Sequence, residues 1–248
     1  MIPSNLHFIK NSVLGTLISG LTLWGGNASA AVVTVDYPES APSSDIVSSY
    51  VVPSTGNFGV YNFSASSYRE VSSSFITPSS SDYLVNAFTL QIGSVDKTDF
   101  TAPANFSIEV WSLAAPGNGP SSGGSSLVNT YTGVMQPTSS QTQVGDYLTF
   151  NFDTPFLATA GKVYSFIMSL DSSAAGNILR WSIGAADPAG TRALSSTNGG
   201  AWENTQLTYI NYVGGTAVPE PMSMALLGLA AVAMLIVRKS RVKAHSEA

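Results

Sequence analysis

Apolar and polar residues alternate one by one along several segments in the middle of this 248-residue chain. Successive side chains of a strand point to opposite faces, so this period of two predicts β-strands that each bury one face. The apolar series are Phe88, Leu90, Ile92; Phe106, Ile108, Val110; Leu148, Phe150, Phe152; Tyr164, Phe166, Met168, Leu170; and Leu179, Trp181, Ile183. The positions that alternate with the first series are Val85, Ala87 and Thr89.

Turn-forming residues separate these segments. Residues 115–126 and 196–202 are rich in Gly, Ser and Asn, and no window of useful length shows the helical period. Half-buried strands separated by such turns are typical of antiparallel β-sandwiches. The pattern therefore predicts an all-β fold, an antiparallel sandwich of the jelly-roll type.

The first 30 residues predict a signal peptide rather than part of the fold. Lys10 supplies the positive charge, residues 12–24 form an apolar segment, and Ala28 and Ala30 are the small residues of a cleavage site. Cleavage there would make Ala31 the first residue of the mature chain. An uncleaved N-terminal membrane anchor is the alternative.

Residues 222–237 predict one C-terminal transmembrane helix. These 16 residues carry no charge, and as a helix they would extend about 24 Å, against about 30 Å for the hydrocarbon core of a bilayer. The bases that follow would stay on the cytoplasmic side, because a charge at mid-membrane is costly. They are Arg238, Lys239, Arg241 and Lys243. A buried core helix is the alternative, but the segment has no polar face.

The tripeptide Pro219-Glu220-Pro221 comes directly before this span. Its two prolines exclude a helix and keep the tripeptide extended, in a form that an enzyme can grip. A signal peptide, this tripeptide, an apolar span and a basic cluster, in that order, resemble the arrangement of PEP-CTERM sorting-signal proteins.

The resemblance implies a route and a processing enzyme. PEP-CTERM proteins belong to Gram-negative bacteria that make extracellular polysaccharide, and an exosortase processes them. The chain would be held in the inner membrane, recognised at the tripeptide, cleaved nearby and passed to the cell surface or extracellular matrix. The resemblance covers only the region from residue 218 onward. It therefore concerns the cellular destination of the protein and not its activity.

A second resemblance covers residues 73–212. The order of predicted strands there, with the step LATAGKVY at residues 157–164, is similar to the choice-of-anchor R-type β-sandwich modules of bacterial surface proteins. That family carries no catalytic residues. The expected parts are a signal peptide (1–30), a segment that is either an extra strand pair or a mobile arm (31–72), the sandwich ectodomain (73–213) and the sorting region (214–248).

Charge narrows the choice of partner. Between residues 31 and 218 the chain carries 13 acidic and five basic side chains, a net charge of −8. This balance argues against nucleic acid or an anionic membrane surface. Neutral ligands or cations are the partners that such a surface favours.

Nothing in the sequence predicts an enzyme or a cofactor. The chain has no cysteine, and its two histidines, His7 and His245, lie in the signal peptide and the tail. The region between them therefore lacks the Ser-His-Asp triad, histidine general bases and most zinc sites. No glycine pattern of a nucleotide-binding loop follows a predicted strand.

Three other chemistries stay open. A glycosidase needs two carboxylates, but no spacing among the 13 acidic residues selects a pair. Asp96 and Asp99 share one loop and offer oxygen ligands to calcium. Trp111 and Trp202 are candidate rings for stacking on sugars, with capping of the sandwich ends as the alternative.

The sequence therefore predicts an exported, non-enzymatic surface or matrix protein with a structural, adhesive or polysaccharide-associated role. The expected partners are an exosortase-type enzyme, the inner membrane before processing and extracellular polysaccharide. The alternatives are a secreted polysaccharide-acting hydrolase that uses a carboxylate pair and a calcium-dependent adhesin.

Overall fold

The computed structural model describes residues 31–64, 67–93, 102–137, 141, 143–171, 178–187, 193–204 and 208–219. Within these residues it contains fourteen strands and no helix, so the predicted all-β class is confirmed. The strands are β1 (Ala31–Asp36), β2 (Ile46–Tyr50), β3 (Pro53–Ser64), β4 (Ser67–Ile76), β5 (Tyr83–Gln91), β6 (Ala104–Leu113), β7 (Ser126–Met135), β8 (Tyr147–Ala158), β9 (Val163–Leu170), β10 (Ile178–Gly184), β11 (Ala193–Thr197), β12 (Glu203–Asn204), β13 (Thr208–Tyr209) and β14 (Asn211–Ala217).

The described strands join one continuous hydrogen-bonded sheet. Twelve of them follow the order β13-β10-β3-β4-β9-β6-β7-β1-β8-β5-β14-β2, and β11 and β12 attach through β4. Neighbouring strands are antiparallel except β1 and β7, which run parallel over residues 31–33 and 131–133. The predicted antiparallel arrangement therefore needs one correction, because the first strand enters the sheet between β7 and β8.

Three nested strand pairs build the middle of the sheet. β4 pairs with β9, β5 with β8 and β6 with β7, all antiparallel. The chain thus forms a long two-stranded ribbon. Strands β4, β5 and β6 make one side of it, and β7, β8 and β9 return along the other side. A further pairing of β6 with β9 rolls this ribbon up, so strands that are distant in the sheet order come to face each other.

Aromatic rings join the two halves of the rolled sheet. The ring centroid of Phe166 on β9 lies 4.2 Å from that of Phe88 on β5, although these strands are not neighbours in the sheet. Phe166 also contacts the rings of Phe75, Phe152 and Phe156. The halves therefore pack face to face, like a sandwich, around an aromatic core.

Every member of the five predicted apolar series is buried, as expected. Several of the described strands depart from simple alternation, among them β4, β5 and β9. The register of β5 against β8 shifts between Val85 and Ala87, and this bulge explains why Val85 is buried as well as Phe88. On β9, Ser165 and Ile167 are also buried, so this strand is covered on both faces.

The segment 31–72 is part of the sheet. It contains β1, β2 and β3 and most of β4, whereas an extra strand pair or a mobile arm was expected. The expected boundary after residue 72 falls inside β4, which pairs with β9 across it. Residues 37–45 connect β1 to β2 without a strand of their own.

Of the residues that the structure describes, none belong to a helix long and apolar enough to cross a membrane. The predicted signal peptide, residues 1–30, and the predicted span, residues 222–237, lie outside the described residues. Both stay predictions from the sequence.

We expect Phe166→Ala to lower the free energy of unfolding by about 3–5 kcal/mol, because the ring fills the space between the two halves and leaves a cavity when removed. Chemical denaturation of both proteins checks this. Leu127→Ala is the control, since Leu127 is an exposed side chain and its loss should change stability by less than about 0.5 kcal/mol. Equal effects of the two substitutions would contradict the central role of Phe166.

Candidate functional site

The outward side of one half of the sandwich carries a set of polar side chains. Leu148, Phe150 and Phe152 of β8 point into the core, so the residues between them point outward. The same alternation turns one side of β1, β5 and β14 outward. We call the resulting surface the tyrosine face; it comprises Asp36, Thr89, Gln91, Tyr147, Thr149, Asn151 and Tyr212.

Strand register aligns four of these residues in a row. Asp36 pairs with Thr149, Thr149 with Thr89, and Thr89 with Tyr212. The row crosses three interstrand steps, which is about 14 Å at about 4.8 Å a step. On the edge strand β2, Ser49 continues it.

Tyr147 and Tyr212 form the aromatic end of the face. Their ring centroids are 5.8 Å apart and their planes meet at 70°, an edge-to-face contact. Because β5 lies between their strands, the two rings meet above β5. Thr89, on β5, is only 2% exposed.

Hydrogen bonds hold the polar groups of the face in place. Gln91 Nε2 donates to the Tyr147 hydroxyl at 3.1 Å and to the backbone carbonyl of Gly145 at 3.2 Å. The hydroxyls of Thr89 and Thr149 are 2.9 Å apart. At the other end, Asn151 Nδ2 donates to Asp36 Oδ2 at 2.7 Å. These bonds fix the positions of donors and acceptors before any ligand arrives.

Small residues lie beside the tyrosine pair. Ala87 pairs with Gly214 of β14 and with Asn151 of β8. A Cβ added at Gly214 would lie 3.1 Å from the Cβ of Ala87 and 3.5 Å from Oδ1 of Asn86. Two small residues therefore meet between the rings and Asn151, with the side chain of Asn86 beside them.

The phenol of Tyr212 stays protonated over a wide pH range. Burial raises the pKa of Tyr212 to about 12, and the neighbouring Tyr147 adds to the shift. The hydroxyl is thus a neutral donor and acceptor at any physiological pH.

A second polar cluster lies on the other half of the sandwich, where Glu70 of β4 and Glu109 of β6 flank β9. Burial raises the pKa of Glu70, and the negative charge of Glu109 raises it further. Trp111 Nε1 donates to Glu109 Oε2 at 2.8 Å. The structure thus places on one side of the sheet, two strands apart, two carboxylates that sequence spacing does not select.

The tryptophans proposed for sugar stacking are both half-buried. Trp111 shares the face of Glu109 and is tied to it. Trp202 packs against Gly119, where an added Cβ would lie 3.1 Å from the tryptophan Cβ. Trp181 belongs to the core, as predicted, and its ring meets Phe150 edge-on at 6.1 Å.

The remaining predicted sites are mostly outside the described residues. They include Ala28, Ala30, Glu220, Pro221, Arg238, Lys239, Arg241, Asp96 and Asp99. Ala31 is the first residue of β1, and Pro219 is exposed after β14. Among the described residues, no three His, Cys, Asp or Glu side chains come close enough to hold a metal ion.

The sequence does not predict the tyrosine face, because alternation identifies the inward residues of each strand and leaves the role of the outward residues open. The signal was present, since Tyr147, Thr149 and Asn151 alternate with the predicted core residues of β8. Nothing in the sequence, however, indicated that β14 would bring Tyr212 beside β5.

Comparison with known proteins does not assign a family. No protein-family model matches the chain, and no curated protein matches it. Among solved structures, it is similar to the cysteine protease and lectin-like domains of Cwp84, a surface layer associated protein of Clostridium difficile. The two are 8% identical with a TM-score of 0.37, and the match covers 67% of this chain and 37% of that one.

We expect the protein to lose stability as the pH rises above about 10. Burial raises the pKa of Tyr131 to about 12 and that of Tyr209 further, and Tyr212 is raised to about 12 as well. In the unfolded chain these phenols ionise near pH 10, whereas in the folded chain they stay neutral. At a pH between the pKa of a phenol in the unfolded chain and its higher pKa in the folded chain, ionisation therefore favours the unfolded state. Urea denaturation at pH 8 to 12 measures the decline.

Tyr209→Phe is the matched variant for this experiment. The hydroxyl of Tyr209 is buried and has no hydrogen-bond partner among the described residues. The variant should therefore match the parent at pH 8 and decline less steeply above pH 10. An unchanged slope would show that Tyr209 does not contribute.

Proposed function

We propose that this chain is an exported, non-enzymatic protein of the cell surface or extracellular matrix, sorted through a PEP-CTERM signal. Its role would be structural, adhesive or polysaccharide-associated. An exosortase-type enzyme would recognise Pro219-Glu220-Pro221, after the inner membrane has held the chain through residues 222–237 and the basic cluster at Arg238, Lys239 and Arg241. A jelly-roll-like sandwich of the choice-of-anchor R type would be the exported part.

The position of the tripeptide relative to the fold supports sorting most directly. The last strand among the described residues ends at Ala217, and Val218 N then donates a hydrogen bond of 2.8 Å to the carbonyl of Asp82. Pro219 follows and is exposed. The tripeptide thus begins where the sheet ends, and a processing enzyme would not need to unfold the sandwich to reach it.

The start of the sheet fits the proposed signal peptide in the same way. β1 begins at Ala31, so cleavage after Ala30 would leave the whole strand intact. β1 pairs with β7 and β8, and the sheet needs all of it. The two processing sites would therefore bracket the folded region.

The nested pairs β4–β9, β5–β8 and β6–β7 support the jelly-roll topology, because a jelly roll is a long antiparallel ribbon rolled into two facing sheets. The lack of histidine between residues 31 and 218 supports a non-enzymatic role. Without histidine, the carboxylates of Asp and Glu are the main side chains in the described residues that could act as general acids or bases.

We expect replacement of Pro219, Glu220 and Pro221 by alanine to hold the protein in the inner membrane of its host. The parent should leave the membrane with an N-terminus at Ala31 and without residues 222–248. Cell fractionation followed by mass spectrometry of both termini measures this. The control replaces Pro42, Ser43 and Ser44, in the connection between β1 and β2, by alanine and should behave like the parent. An intact C-terminus retained in the inner membrane in all three proteins would overturn the sorting proposal.

A polysaccharide-acting hydrolase is the second candidate, and one observation favours it. Burial and the charge of Glu109 across β9 raise the pKa of Glu70. A raised pKa suits the general acid of a glycosidase. The strands of the two residues are two interstrand steps apart, about 10 Å. Both carboxylates are half-buried, and Glu109 already accepts a hydrogen bond from Trp111, so we place this candidate second.

We expect no release of reducing ends when the purified protein is incubated with neutral and acidic polysaccharides. Glu70→Gln and Glu109→Gln should then be indistinguishable from the parent. Release by the parent that both variants abolish, with Asp153→Asn as an exposed carboxylate control, would instead establish the hydrolase.

A further inference from the structure

We propose that the tyrosine face binds an uncharged polysaccharide, with the rings of Tyr147 and Tyr212 contacting the sugars and Thr149, Asn151 and Asp36 receiving their hydroxyls. This deepens the polysaccharide-associated role proposed above by naming the surface and the chemical class of the ligand.

The polar groups of the face suit hydroxyl-rich, uncharged ligands. Phenol, hydroxyl and amide groups offer both donors and acceptors, as sugar hydroxyls require. Asp36 is the only acidic residue in the row, and Asn151 Nδ2 donates a hydrogen bond to it at 2.7 Å. The net charge of −8 between residues 31 and 218 repels anionic polysaccharides, which leaves the neutral ones.

The shape of the face suits an extended chain. Its row of side chains runs for about 14 Å across neighbouring strands, from Asp36 to Tyr212. Ala87 and Gly214 themselves add little side chain beside this row, and Asn86 borders them. A sugar chain lying across the strands would meet the rings at one end and Asp36 at the other.

The rings are held ready for contact. Their edge-to-face packing at 5.8 Å orients both phenols, and Gln91 fixes the Tyr147 hydroxyl while bonding to Gly145. A preorganised site loses less conformational entropy on binding. Aromatic side chains with one apolar surface and one wet edge suit a ligand that has apolar and polar faces of its own.

Other surfaces fit a glycan less well. Beside Trp111, the outward residues Ser165 and Ile167 of β9 are buried, so no open surface continues from this ring along β9. A protein partner would favour large exposed apolar side chains at the centre of its interface. Among the described residues, the exposed large apolar side chains include Leu84, Leu127 and Val134, and none belongs to the tyrosine face.

Affinity electrophoresis of the full-length chain in detergent tests the proposal. The gels contain a neutral β-glucan, a neutral mannan, a neutral galactan or the anionic polysaccharide alginate. The parent should be retarded by at least one neutral polysaccharide and not by alginate. Retardation by alginate alone, or by none of the four, would overturn the proposal.

Variants assign the binding to this face. Tyr147→Ala and Tyr212→Ala should each weaken binding about tenfold, as loss of a central aromatic contact does. Tyr83→Ala removes a ring from β5 outside the face and should bind like the parent. Equal weakening by Tyr83→Ala, or parental binding by both face variants, would refute the assignment.

A blocking variant covers the case in which a tyrosine variant fails to fold. Ala87→Gln keeps both rings and places a longer uncharged side chain between them and Asn151. It should abolish retardation while the urea midpoint stays near that of the parent; unchanged retardation would refute the assignment. Because binding is measured on isolated protein, its failure is distinguishable from a failure of sorting.

Discussion

Phe166 places its ring 4.2 Å from that of Phe88, and this contact between the two halves of the rolled sheet is the interaction on which the rest of the structure depends. The chain has no cysteine, so no disulfide holds the halves together. Phe75, Phe152 and Phe156 pack around the same ring. Aromatic packing therefore holds the two halves of the sheet against each other. The position of each outward surface depends on this aromatic core.

The core and the surface are coupled through the period of the strands. A strand that turns Phe150 inward must turn Thr149 and Asn151 outward. A slip of one residue would bury these polar groups and expose the ring. The aromatic core thus decides the register of β8 against β5, and the register decides which polar groups stand side by side on the tyrosine face. The bulge beside Val85 also links core and register. It shifts the register of β5, so that both Val85 and Phe88 turn toward the core although they lie an odd number of positions apart.

The two outer surfaces of the sandwich differ in character because they are covered differently. On β9, the outward residues Ser165 and Ile167 are buried, and Trp111 is only half-buried beside them. On β8, the outward residues Tyr147, Thr149 and Asn151 keep part of their surface in solvent. The first surface raises the pKa of Glu70 by burial, whereas the second keeps neutral hydrogen-bonding groups within reach of a ligand.

The sequence by itself determined the all-β class, the five buried series, the lack of cysteine and the lack of histidine between residues 31 and 218, because these follow from local alternation and composition. It also contains the proposed processing signals at both ends. Only the tertiary structure decided that β1 enters between β7 and β8, that Glu70 and Glu109 lie on the same side of the sheet, and that Asp36 and Tyr212 share one row. The physical reason is that alternation assigns each side chain to a face, while the backbone hydrogen bonds that pair strands are nearly the same for every sequence. Which strands become neighbours is settled by packing of the whole core, and the tyrosine face depends on that choice.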